Sequence, residues 1–205
     1  MRNVAPALLL ALYLVSPTFA QDTTTFTPAG LEQFEAAFVA AERGDAQAQN
    51  SLGVMYANGL GVTRDDAQAV SWYRKAADRG NAEAQHNLGR MYEEGWGVAH
   101  DDAQAVTWYR KAAEKGHARA QDNLGWMYEK GQGVTRDDTQ AVAWYRKAAE
   151  QGLDVAQFNL GRAYRDGRGV RKDDAEALVW FRKAGELGLL EFVYSHGQIF
   201  GKKFR

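Results

Sequence analysis

Apolar residues recur along this chain at helical spacing, and the whole pattern then repeats every 36 residues. Ala48, Leu52, Met55 and Tyr56 fall at i, i+4, i+7 and i+8, one face of an amphipathic helix. Gly59-Leu60-Gly61 stops that helix, since glycine enters the left-handed conformation without a Cβ penalty. Asp65-Asp66 starts a second helix as N-cap acceptor and first-turn charge. Ala69, Trp72, Tyr73, Ala76 and Ala77 make its apolar face, and Gly80 closes it. The Leu-Gly pair returns at Leu88-Gly89, Leu124-Gly125 and Leu160-Gly161. Tyr56, Trp72 and Gly80 each return three times at the same step.

The period divides the chain into units 45–80, 81–116, 117–152 and 153–188. A single helix pair buries too little apolar surface to fold alone, so the units must stack into a solenoid. The ends read as atypical half-units. Residues 31–44 carry Ala40-Ala41-Glu42-Arg43-Gly44 in register with Ala76 to Gly80, which predicts an N-terminal capping helix. Residues 189–205 read as a degraded C-terminal half-repeat, with Gly197 and Phe200 in register with Gly161 and Tyr164. Ten helices are expected, preceded by a flexible lead-in over 21–30. Gly53 and its copies sit mid-helix, where glycine costs about 1 kcal/mol relative to alanine. A Trp or a helix backbone is therefore expected to approach the bare Cα.

The Ala-Gln…Leu-Gly…Met-Tyr…Gly-x-Gly-Val…Asp…Trp-Tyr-Arg-Lys-Ala-Ala…Gly pattern, spread over 45–188, resembles the Sel1-like repeat, a relative of the tetratricopeptide repeat. The resemblance implies an all-α fold, a right-handed α-solenoid of stacked helix-turn-helix repeats. It also implies a role as adaptor or scaffold for other proteins. In bacteria it implies envelope signalling, regulation of surface polysaccharide, or contact with a host.

Composition adds a location. Met1-Arg2, the apolar run Ala7 to Val15 and Ser16 to Ala20 have the layout of a signal peptide over 1–20, the run being too short to span a bilayer. A periplasmic or secreted protein with no membrane span after cleavage is expected. With Arg2 gone, one basic residue fewer than 25 faces 26 acidic ones. That balance offers no electrostatic footprint for nucleic acid. The chain has no cysteine, so its core rests on packing alone.

Candidate chemistry is thin. No HExxH, GxxxxGK[ST] or GxSxG motif occurs, so neither an enzyme nor a metal or cofactor is expected. His86 and His117 vary among copies and are expected at the surface, while His100 is expected to cap or be solvated. The Asp-Asp pairs read as helix caps. The repeated Arg74-Lys75 pair reads as a solvated stripe that an anionic polymer could follow. Trp72, Trp108, Trp144 and Trp180 read as core.

Positions free to differ between copies can serve a partner. In the first helices these are Gln47, Asn50, Val54 and Ala57, then Glu83, His86, Arg90 and Glu93. The third copy has Arg119, Asp122, Trp126 and Glu129, and the fourth Val155, Phe158, Arg162 and Arg165. Each set lies on one helical face, and stacking would align the faces along the inner surface. Aromatic and Arg residues dominate binding hot spots, which selects Arg90, Trp126, Phe158 and Arg162, with His86 and Asp122 beside them, for a protein or peptide partner. For Trp126 and Phe158 a second reading stands: packing on each other or on the next helix. Trp96 is a further candidate on an outer edge. Binding of a glycan or cell-wall fragment is the alternative function.

Overall fold

The computed structural model describes residues 27–185. Nine helices and no strand occur among them, so the chain is an all-α solenoid. They are α1 (Pro28–Glu42), α2 (Ala46–Asn58), α3 (Asp66–Asp78), α4 (Ala82–Glu94), α5 (Asp102–Glu114), α6 (Ala118–Lys130), α7 (Asp138–Glu150), α8 (Asp154–Asp166) and α9 (Asp174–Lys183). Helices α2, α4, α6 and α8 are the first helices of the repeats, and α3, α5, α7 and α9 the second. The signal segment, the C-terminal half-repeat and the tenth helix expected in it fall outside the described residues. Two boundaries differ from expectation. Helix α1 begins at Pro28, inside the expected lead-in, because the Thr27 hydroxyl accepts from the Gly30 N–H and Pro fills the first turn. Helix α9 ends at Lys183, five residues before Gly188, because Gly185, at φ +82°, replaces the second alanine of the Ala-Ala pair.

Each second helix is capped by the first Asp of its pair, as the Asp65 carboxylate does for the N–H groups of Ala67 and Gln68. Each first helix ends on a left-handed glycine, Gly59, Gly95, Gly131 or Gly167. Within a repeat, the mid-helix glycine meets the ring of the tyrosine after the tryptophan, not the tryptophan itself. A Cβ on Gly53 would stand 2.4 Å from Tyr73 Cδ1, and one on Gly125 2.8 Å from Tyr145 Cδ1. In the fourth repeat the ring is Phe181. The bare Cα thus lets an aromatic lie flat between the two helices.

Neighbouring repeats are joined by three recurring devices. A Cβ on Gly97 would lie 2.2 Å from the Asp66 carbonyl, so the loop backbone of one repeat rests on the start of the previous second helix. A buried glutamine, Gln85 or Gln121, donates from Nε2 to the Ala77 or Ala113 carbonyl at 3.0 Å, closing the end of that second helix. Arg110 donates to the Tyr128 hydroxyl of the next repeat at 2.8 Å, and Arg74 and Arg146 do the same to Tyr92 and Tyr164. The lysine of each Arg-Lys pair folds over its own tryptophan, Lys75 Nζ lying 3.6 Å from the Trp72 centroid. The stripe keeps the exposure expected of it, Arg74 and the four lysines being exposed, while also making these contacts. Trp72, Trp108 and Trp180 are buried, whereas Trp144 is only partly so.

Replacing Gly125 by alanine should lower stability by about 1–3 kcal/mol through overpacking against Tyr145, although helix propensity alone would add about 1 kcal/mol. Urea unfolding checks this, and a raised midpoint would contradict the packing account.

Candidate functional site

The expected variable face divides into a buried seam and an open groove. The seam holds Asn50, His86, Asp122 and Phe158. Asn87 donates to Asn50 Oδ1 at 3.2 Å, and Asn159 donates to Asp122 Oδ1 at 2.9 Å. Asn123 Nδ2 lies 3.5 Å from His86 Nε2. This ladder ties each first helix to the next. The C-terminal ends of successive second helices are tied separately, Lys115 donating to the Gly80 carbonyl at 2.6 Å.

His86 is 5% exposed and Asp122 7%, so neither occupies the surface face expected of it. Burial between helices explains both. Phe158 packs against Phe181 with centroids 5.6 Å apart, and Trp126 packs against two core clusters, one shared by repeats 2 and 3 and one by repeats 3 and 4. For these two the packing reading describes what the rings touch.

The His86 ring stacks on His117, with centroids 4.7 Å apart and planes 26° apart, and Glu83 completes a cluster. His117 Nδ1 caps α6 by accepting from the Ala120 N–H, so the ring proton sits on Nε2 and is donated to Glu83 at 2.8 Å. No lone pair of His117 remains for a metal ion, and the lone pairs of near-parallel rings do not converge at ~2 Å from one point. His117 is half-buried, not at the surface as expected. His100 closes its loop from Nδ1 to the Glu93 carbonyl at 2.6 Å.

The groove is lined by Val54, Ala57 and Arg90 between repeats 1 and 2 and by Glu129 and Arg162 between repeats 3 and 4, and Trp126, Glu93 and Arg165 hold the matching repeat positions. Between repeats 3 and 4 it is nearly filled. Glu129 accepts from the Tyr145 hydroxyl at 2.8 Å and lies 3.6 Å from Arg162 and 3.8 Å from Arg168. Only about 20 Å³ stays open, room for about one water. Between repeats 1 and 2 the equivalent space is a cavity of about 380 Å³ beside Val54, Ala57, Tyr73, Asn87, Arg90 and Trp96. Trp96 is 40% exposed and carries the Arg90 guanidinium 5.5 Å from its centroid. It thus belongs to the groove, not to an outer edge. Burial raises the Tyr73 phenol to about 12, although the Arg90 charge works against the rise. Tyr73, Ala57 and Asn87 are the groove residues that sequence reasoning left out of the candidate set. The signal for them was the loss of Glu at position 57 alone among the first three copies.

Fold and groove together define a repeat scaffold whose first helices carry the variable side chains. The Sel1 repeat family matches four times, over residues 46–81, 82–117, 118–153 and 154–189, and the chain belongs to that family. The chain is 45% identical to a protective antigen present in uropathogenic Escherichia coli strains and displaying an SLR fold. The TM-score is 0.75, and the match covers 80% of this chain and 36% of the antigen. The chain thus spans about a third of that protein's length. A Sel1 repeat protein from Oxalobacter formigenes is 36% identical with a TM-score of 0.74, covering 80% of this chain and 68% of that one. An immunity protein of Pseudomonas aeruginosa, 24% identical with a TM-score of 0.52, shares the fold over 90% of this chain and 67% of its own. Comparison with curated proteins finds no match. Sel1 repeat proteins generally act as protein-interaction adaptors, and the fold is typically a non-enzymatic scaffold.

The seam carries opposing pH dependences. Burial raises the Asp122 carboxyl to about 6, against the bond from Asn159. A raised folded value means a contribution fully present below about 4 and lost as pH rises through about 6. Burial, with the His117 charge, lowers His86 to about 4, so its contribution is present above about 6.5 and lost as pH falls toward 4. Asp122→Asn, which copies the buried Asn50, should therefore gain on the order of 2 kcal/mol at pH 7.5 and nothing at pH 4. His86→Asn should remove the acid-side loss. Thermal melts across this range check both, and an Asp122→Asn protein no more stable at pH 7.5 would contradict the first.

Proposed function

We propose that the protein is a non-catalytic adaptor, scaffold or regulator in the bacterial envelope or outside the cell. It binds a protein or peptide partner along the inner row of first helices. One observation carries this reading. The repeated cations and Asp pairs are spent on caps and repeat-to-repeat bonds, whereas the column Val54, Arg90, Trp126 and Arg162 changes from copy to copy, and Val54 and Arg90 stand beside an open cavity. An exposed side chain such as Arg90 is free to set specificity. The signal-like N-terminus supports the envelope or extracellular placement, and no helix among the described residues is long and apolar enough to cross a membrane.

The exposed Trp96 beside Arg90 favours a second reading, in which a ring of a glycan or cell-wall fragment stacks on the indole.

Capture from envelope extract, identified by mass spectrometry, should fail with Arg90→Glu and persist with Thr107→Glu on the exposed face of α5. Circular dichroism should show both variants folded. Equal capture by the two would remove the groove as the contact surface. Quenching of tryptophan fluorescence by peptidoglycan fragments, absent with Trp96→Ala, would favour the glycan reading instead.

A further inference from the structure

The second and third repeats each place a glutamate in the groove under a tyrosine hydroxyl. Tyr109 donates to Glu93 and Tyr145 to Glu129. The fourth repeat has lost both partners, carrying Arg165 and Phe181 at these positions. The first repeat has lost only one: Ala57 stands where the glutamate would be, while Tyr73 keeps its hydroxyl, for which no hydrogen-bond partner exists among the described residues. The space that the missing side chain would take opens into the cavity of about 380 Å³, whereas about 20 Å³ is open where Glu129 is present.

Charge points the same way. Arg64, Asp66 and Glu83 also line the cavity, but their charges are engaged: Arg64 pairs with Asp66 at 2.8 Å, and Glu83 bonds to His117 at 2.8 Å. Arg90 occupies the repeat position of Arg162, the residue 3.6 Å from Glu129, and forms no ion pair among the described residues. The cavity thus keeps a hydroxyl donor and a cation while lacking the carboxylate that both serve two repeats further on. The hydroxyl of the buried Tyr73 is left without a hydrogen bond and the exposed Arg90 has only the Trp96 ring beside it, an arrangement that a ligand carboxylate would complete.

We propose that the cavity between the first and second repeats is a receptor for a carboxylate of a peptide ligand, which takes the place of the glutamate missing at Ala57. The Tyr73 hydroxyl donates to the carboxylate, Arg90 neutralises it, and Trp96 at the lip covers the adjoining peptide. The internal occupant of the equivalent site is a glutamate side chain, which makes an internal glutamate of the ligand the favoured source over a free C-terminus. This inference rests on the peptide-binding reading above, and synthetic peptides test it without the cellular partner. A failed capture from extract and a failed carboxylate site are therefore separate results.

Three probe peptides decide the matter by isothermal titration or nuclear magnetic resonance titration. One is a blocked pentapeptide, acetyl-Gly-Gly-Glu-Gly-Gly-amide. The second is its Gln counterpart, and the third is an acetylated pentaglycine with a free C-terminus. The Glu peptide should bind at least ten-fold more tightly than the Gln peptide. That ratio should collapse in Tyr73→Phe, a change the fourth repeat already tolerates at Phe181, and in Arg90→Gln. Ala57→Glu should raise the melting temperature and abolish the discrimination by filling the site from within. Tighter binding of the free-acid pentaglycine than of the Glu peptide would keep the carboxylate site and assign the C-terminus as its source. No preference of the unsubstituted protein for either carboxylate peptide over the Gln peptide would overturn the proposal. So would tighter binding of glucuronate, titrated as a fourth probe, than of either carboxylate peptide, or an Ala57→Glu protein that melts lower and still discriminates.

Discussion

The contact of an aromatic ring with a bare glycine Cα, Tyr73 on Gly53 and its three copies, sets both the fold and the groove. With any Cβ at that point the ring would have to lift and the two helices of a repeat would part. Lying flat, the ring delivers its para position to the groove, where the hydroxyl meets Glu93 or Glu129. A mid-helix glycine costs about 1 kcal/mol, and recurrence in all four copies is the mark of packing that more than offsets it. The same contact therefore holds a repeat together and aims a polar atom at whatever fills the groove.

Repeat-to-repeat cohesion uses a different principle. The loops touch backbone to backbone, as Gly97 does on Asp66, and the buried glutamines close the ends of the preceding helices. Between the first helices the asparagine ladder needs only an acceptor on the far side. Asparagine or aspartate meets that need in one seam or another, and histidine stands at the same position in a third. A buried carboxylate and a buried imidazole with opposite pH responses sit one repeat apart as a result. Inter-repeat stability is in consequence less sensitive to acid than either group alone would make it.

Helix positions, caps and repeat boundaries were legible because each follows from local chemistry: Asp before an apolar run, Gly after it, and a 36-residue step. The family match divides the chain one residue later than the Gly-to-Gly reading, with the first repeat at 46–81. The groove was legible only in part. Variation among copies was equated with exposure, which selected Arg90 and Arg162 but also His86 and Asp122. The latter pair varies because the asparagine opposite adapts to its neighbour, a relation across 37 residues that no helical period reveals. The Arg-Lys stripe is exposed as expected, but its tyrosine partners on the next repeat, Tyr92, Tyr128 and Tyr164, were hidden for a related reason. The paired loss of Glu and of hydroxyl at Arg165 and Phe181, against the single loss at Ala57, was present in the sequence. It gains meaning only once the two positions are known to touch.

The central claim is that the first groove cavity is the repeat's own carboxylate site with its carboxylate removed. A crystal structure of the Ala57→Glu protein tests it most directly. The account predicts that the new carboxylate accepts from the Tyr73 hydroxyl and approaches Arg90, reproducing the arrangement of Glu129 with Tyr145 and Arg162. An introduced carboxylate turned to solvent, with the cavity open and Tyr73 unbonded, would contradict it.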